Sequence, residues 1–131
     1  MGGAKRVLIL TDGTERVKKM AEDIAIVLKG NSILLKDASA FAGNDLLPAK
    51  VLFFGCEDPS PPSFGYFEIL LQHINLAGRF LGVFSHNSIE AVQYLARMAK
   101  KSDVSLCPKP FFAKNSKDLE KWATIVLTGK Y

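Results

Sequence analysis

The stretch VLILTDGTERVKKMAEDIAIVLKG, residues 7–30, opens with four apolar residues, turns through Thr11, Asp12 and Gly13, and then changes its period. Its first four residues form a short continuous apolar run, the pattern of a strand buried on both faces of a sheet. From Val17 onward, Met20, Ala21, Ile24, Val27 and Leu28 recur at helical spacing, and Lys29 with Gly30 supplies a cationic last turn and a C-cap. A strand that passes through a tight turn into a helix leaves the helix's unpaired N–H groups and positive dipole end at the strand tip, where they attract an anion. Two occupants compete for that position. Either the turn cradles a phosphate group, or the Asp12 carboxylate fills it. The second reading rests on "DGTE" at 12–15, which is close to a capping box in which Asp12 accepts from helix N–H groups and Glu15 reaches back.

Outward from this unit the same alternation repeats. Residues 33–35, 51–54 and 80–84 are further apolar runs, and 104–106 is a weaker fifth. Between them the helical stripes are Phe67, Leu70, Leu71 and Ile74; Val92, Leu95, Ala96 and Ala99; and Leu119, Trp122, Ala123 and Val126. Residues 37–50 leave room for only a turn or two of helix. Five alternations with right-handed crossovers predict an α/β three-layer sandwich, one domain over residues 1–131, around a five-stranded parallel sheet of order 2-1-3-4-5. In that order the winding reverses between the first and third strands, and ligands sit beyond the carboxyl ends there. The loops at that end are residues 11–14, 55–65 and 85–88.

Composition narrows the function classes. The 131 residues are 48% hydrophobic and 23% charged, and no apolar run approaches the roughly 20 residues of a membrane span, so no membrane partner is expected. The opening MGGAKRVLIL has too short an apolar stretch for a signal peptide, and Arg6 stands where a myristoylation motif needs Ser or Thr. Cys56 and Cys107 lack metal-ligand spacing and point to a reducing compartment, hence a cytoplasmic protein without a metal site. The net charge of +4 favours acidic partners. Its lysines (among them Lys18, Lys19, Lys29, Lys100, Lys101, Lys114, Lys117 and Lys121) are scattered, and no nucleic-acid-binding signature accompanies them.

Along nearly its whole length the chain resembles a short flavodoxin or flavodoxin-like domain. "TDGTERVKKMAEDIA" is similar to the family's phosphate loop and first helix. "DASAFAGNDLLPAKVLFFGC" resembles its Asp-rich second connection and third strand ending in Gly. "RFLGVFSHNSIEAVQYL" resembles the fourth strand with its flavin-side loop, and "PKPFFAKNSKDLEKWA" the fifth-strand exit and last helix. The resemblance implies a non-covalently bound FMN and electron transfer between redox partner proteins, with no substrate turned over and no catalytic residue.

Set residue by residue on the family's T/S-x-T-G-x-T loop, Ile9 stands at the first hydroxyl position, Thr11 and Thr14 match the two later threonines, Asp12 replaces the Gly, and Gly13 is the variable residue. Thr11, Gly13 and Thr14 suit a phosphate; Asp12 opposes it. FMN phosphate carries about −1.5 to −2 charges, and a carboxylate about 5 Å away at an effective dielectric of about 20 opposes it by about 3 kcal/mol per unit charge. That is on the order of a hundredfold in affinity unless Arg16, Lys18 or a rotation of Asp12 offsets it. The charge conflict tilts the loop toward a helix cap and leaves a reduced-affinity phosphate site as the alternative.

The ring-binding loops the resemblance implies are Cys56, Glu57, Asp58 and Pro59 in the second connection and Ser85, His86 and Asn87 in the third. Phe64 or Tyr66 is the candidate stacking platform, against a role in starting the next helix, and His86 can stack on a flavin or serve as a surface residue. Asn87 and Glu90 are expected to cap the following helix. Cys56 is either redox-active or a small buried thiol. Three functions follow: an FMN-binding electron carrier with a redox partner that is acidic at its docking surface; a flavin-free interaction or ligand-binding module with a degenerate phosphate loop; and, with least support, a flavin-dependent reductase.

Overall fold

A computed structural model of the chain describes residues 4–114 and 117–131. The N-terminal Met-Gly-Gly weighed above as a leader or anchor, and Asn115 and Ser116 of the fifth-strand exit, lie outside the described residues. The elements run β1 (Arg6–Thr11), α1 (Glu15–Val27), β2 (Ser32–Asp37), a 3-10 turn (Ala38–Ala40), α2 (Gly43–Leu46), β3 (Val51–Gly55), a 3-10 turn (Pro62–Phe64), α3 (Gly65–Leu71), β4 (Phe80–Ser85), α4 (Ile89–Lys100), β5 (Ser105–Leu106), β6 (Phe111–Phe112) and α5 (Leu119–Thr128). All pairings are parallel in the order β2-β1-β3-β4-β5, with β6 also on β4. This is the predicted three-layer α/β sandwich.

Why the central strands read as unbroken apolar runs is visible in the two cores. Successive side chains of a strand point to opposite faces. Leu8 and Leu10 of β1 and Leu52 and Phe54 of β3 therefore join one core, packed under α2, α3 and α4. Val7, Ile9, Val51 and Phe53 join the other, under α1 and α5. The first core is rich in aromatics: Phe54 and Phe41 each lie 4.8 Å from Phe67, centroid to centroid. In the second, Gly82 lets α5 approach the sheet, since a Cβ there would stand 2.8 Å from both Trp122 and Val126.

Three local readings need correction. The fifth strand is two short pieces and the sheet has six strands. Leu81 pairs with Leu106 and Phe84 with Phe111, so three steps along β4 face five along the edge, a two-residue bulge. Its physical source is "CPKP" at 107–110, where Pro108 and Pro110 have no N–H to donate. Helix α3 stops at Leu71, so Ile74 packs against the core from the connection that follows. Helix α1 ends at Val27 with Leu28 as C-cap, which puts Lys29 outside it and Gly30, at φ +98°, in the reversal.

Candidate functional site

The three loops foreseen for the ligand end converge at the carboxyl edge of β1, β3 and β4, on either side of the topological switch point. What joins them is a pair of carboxylates. Asp12 accepts from the Thr14 N–H through Oδ1 (3.0 Å), and through Oδ2 from the N–H groups of Glu57 (2.9 Å) and Asp58 (3.2 Å). Glu57 in turn accepts, on one oxygen, the Ser85 hydroxyl (2.8 Å), the His86 N–H (2.8 Å) and the Asn87 N–H (3.2 Å). The carbonyls of the third loop are held from its other side: Ala113 N–H donates to Ser85 O and Lys114 N–H to His86 O.

This geometry corrects the capping-box reading. Thr14 is the N-cap of α1, its side chain makes no cap, and Asp12 reaches no N–H of the helix proper. The reason is tertiary: the unpaired loop N–H groups of Glu57 and Asp58 draw the carboxylate sideways. Nearby, buried Thr11 accepts the Gly13 N–H at 3.3 Å, and Gly13 takes φ +83° with its α-carbon against Asp37. The first turn of α1 is thus left without a side-chain cap beside a turn that only glycine adopts readily.

The other expected residues divide. Cys56 is fully buried with its thiol toward the Ala91 carbonyl, and burial, with the charges of Asp12, Asp58 and Glu57, raises its pKa, which removes a reactive-thiolate role. Phe64 is a core residue, 0% exposed and stacked 6.1 Å from Phe67, so it offers no platform to the crevice. Tyr66 is exposed but leans on Phe41 at 6.5 Å. Pro59 is exposed, and His86 is half-buried. Helix α4 is capped by Ser88, whose hydroxyl accepts the Ala91 N–H at 3.0 Å, in place of Asn87.

Two hollows flank the stitched loops. One of about 420 Å³ lies between Glu57, Pro59 and the 87–90 segment. The other, about 700 Å³, is bordered by Arg16, Lys19 and Met20 of α1 with His86 and Ala113. The better-enclosed cavity, about 390 Å³ beside Trp122, is at the sheet edge and away from these loops. Among the described residues no cluster of metal-ligating side chains occurs, and no helix is long and apolar enough to cross a membrane.

No protein-family model matches the chain, and no curated protein matches it in sequence. Solved structures do. A short-chain flavodoxin associated with a non-canonical PDU bacterial microcompartment superposes with a TM-score of 0.79 at 15% identity, over 98% of this chain and 99% of that one. The flavodoxin of Streptococcus pneumonia TIGR4 gives 0.79 at 17%, over 96% and 99%. The chain has the flavodoxin fold. The same fold forms part of larger proteins: rubredoxin oxygen:oxidoreductase from Desulfovibrio gigas matches with a TM-score of 0.79 at 15% identity, over 97% of this chain and 36% of that chain.

Against the flavodoxin fold, the FMN implied by the resemblance can be tested on the residues present. At the phosphate end an uncapped helix start, Thr14 and Gly13 favour the group, while Asp12 on the Thr14 N–H and Asp37 against Gly13 oppose it. At the ring end the N–H groups of residues 57, 58, 86 and 87 already have carboxylate acceptors, and the second and third loops carry one ring able to stack, His86. In the sequence Glu57 reads only as a ring-loop residue; its bonds to the third loop span about 30 positions and leave no local signal there. Ser88 was legible as a small hydroxyl residue just before an apolar-periodic helix.

Proposed function

We propose that the chain is an FMN-binding electron-transfer protein of the flavodoxin type. The observation that carries this reading is the α1 start. Its first turn has no side-chain cap and the adjacent turn is glycine-permissive; of the carboxylates beside it, Asp12 bonds the Thr14 N–H with one oxygen and the second loop with the other, and Asp37 lies against Gly13. Thr14 and the first-turn N–H groups would hold the phosphate, with Arg16 beside them, and residues 57–59 and 85–87 would border the ring. Bound FMN supplies reversible electron uptake at its isoalloxazine ring. The protein's part is to position that ring near the surface, where a redox partner protein reaches it. The α1 side of the crevice mixes Arg16 and Lys19 with Glu15 and Asp23, and Glu57 and Glu90 make the opposite side acidic, so preference for an acidic partner rests on the net charge of +4. A cytoplasmic site of action accords with two free, buried thiols.

A second reading, a flavin-free module, is favoured by the carboxylate bonds that occupy the ring-end donors and by the burial of Phe64. Calorimetric titration of the purified chain with FMN and with riboflavin separates the two. Saturable FMN binding that exceeds riboflavin binding supports the electron carrier; no binding of either ligand leaves the flavin-free module.

A further inference from the structure

The six hydrogen bonds at the crevice form a series, and their order has a functional meaning. Asp12 belongs to the loop that opens α1, yet two of its three bonds go to backbone N–H groups of the second loop. Glu57 is at once the recipient of one of those bonds, through its N–H, and the side chain whose single oxygen gathers three donors of the third loop. Asp12 makes no hydrogen bond to the third loop; its influence there passes through Glu57.

We infer that Asp12 and Glu57 are a two-carboxylate relay that couples occupancy of the anion end at α1 to the conformation of the third loop. Asp12 is a positioning residue acting through Glu57. An anion seated at the α1 start repels the Asp12 carboxylate, which is held to Thr14 at the mouth of the same turn. Loss of the Asp12 bonds frees the Glu57 and Asp58 N–H groups. The Glu57 backbone then shifts, and its carboxylate releases His86 and Asn87. The donors that a ring-end ligand needs are thereby exposed after the anion end is filled, which makes the two ends cooperative. This inference rests on the anion end assigned under Proposed function, and its test separates the two.

The experiment follows individual amide signals and their hydrogen exchange by NMR in the full chain, with inorganic phosphate as the probe. In the wild type, phosphate shifts the Arg16 and Val17 amides and speeds exchange at Glu57, Asp58, His86 and Asn87 by about tenfold or more, as expected for lost bonds to a charged acceptor. Asp12→Asn speeds exchange at the same four amides without phosphate, and phosphate adds little further. Glu57→Ala, which removes the single accepting oxygen, speeds exchange at His86 and Asn87 and leaves the Asp58 amide protected. The cores of β1 and β3 serve as the folding control in both variants. If Asp12→Asn releases Glu57 and Asp58 but leaves His86 and Asn87 protected, the relay is overturned. Phosphate shifts at Arg16 and Val17 with unchanged exchange at Glu57 and Asp58 also overturn it, while keeping the anion end. Release of all four amides by Asp12→Asn, with no phosphate response at α1, supports coupling between the loops and overturns the anion end.

Discussion

Glu57 gives its backbone N–H to Asp12 at 2.9 Å and, with its own carboxylate, holds the His86 N–H at 2.8 Å, so one acidic residue is both captive and captor in the crevice. Both carboxylates are satisfied by loop donors, and Asp12 keeps its charge at the mouth of the α1 turn.

Asp12→Gly restores the glycine of the flavodoxin pattern and removes the carboxylate bonded to the Thr14 N–H at the α1 start. Relief of about 3 kcal/mol per unit charge at roughly 5 Å predicts that FMN affinity rises at least about tenfold. Riboflavin, without the phosphate, gains less, and the ratio of the two gains isolates the charge effect. Because Asp12 holds three N–H groups across two loops, the substitution also costs about 1–3 kcal/mol of stability, more than loss of a simple helix cap. Paired calorimetric titrations and urea melts check both halves; an FMN affinity that does not rise removes the impaired-cradle reading.

For α4 the expected asymmetry is between neighbours. Ser88→Ala loses the bond to the Ala91 N–H and about 1 kcal/mol, while Asn87→Ala, at an exposed residue that uses only its backbone N–H, stays within about 0.5 kcal/mol of the wild type. Chemical denaturation of the two variants measures the difference.

Cys56 and Cys107 are both buried and unpaired, and burial first, then the neighbouring acids, disfavours the Cys56 thiolate. Native protein at neutral pH is expected to resist alkylation at Cys56, and to take up reagent there on unfolding. Labelling followed by peptide mass spectrometry shows which thiol reacts; rapid native modification of Cys56 contradicts the burial described.

The Lys36–Asp45 pair ties α2 to β2. Asp45 Oδ2 accepts from Lys36 Nζ at 2.8 Å and from the Ala42 N–H at 3.0 Å, and the Lys36 bond first, then the Ala42 bond, lowers the Asp45 pKa. A carboxylate with a depressed folded pKa stabilises fully above its unfolded value of about 3.9 and loses that contribution as pH falls through the folded value. Asp45→Asn is therefore expected to lower stability at pH 7 by at most about 1 kcal/mol, and the gap to wild type should close below about pH 4. Melts across this range decide it; a gap that persists at low pH assigns the loss to something other than charge.

Most of the fold was legible because it depends on local period. Four apolar runs became β1 to β4, and the stripe from Val17 to Ile24 became the buried face of α1. The fifth strand was legible only to Leu106, since two prolines mask the resumption at Phe111 and Phe112. At the site, the sequence placed the three loops at one end but not their connections. Asp12 looked like a helix cap because the first orphan donors in sequence are those of α1; the second loop, 45 positions away, offers its own donors and holds the carboxylate. Phe64, close to the ring loop in sequence, was drawn inward by Phe54 and Phe67.

The bulge between β5 and β6 bears on how the molecule behaves among copies of itself. An edge strand with a regular row of free N–H and C=O groups is a template on which another chain can pair. Here the row is broken at residues 107–110: two prolines contribute no donor, and exposed Lys109 brings charge to the gap. The Cys107 N–H and the Trp122 indole N–H turn inward, to the carbonyls of Leu81 and Lys109. The interrupted row makes that side of the sheet a poor template, and the long regular edge is β2 on the opposite side.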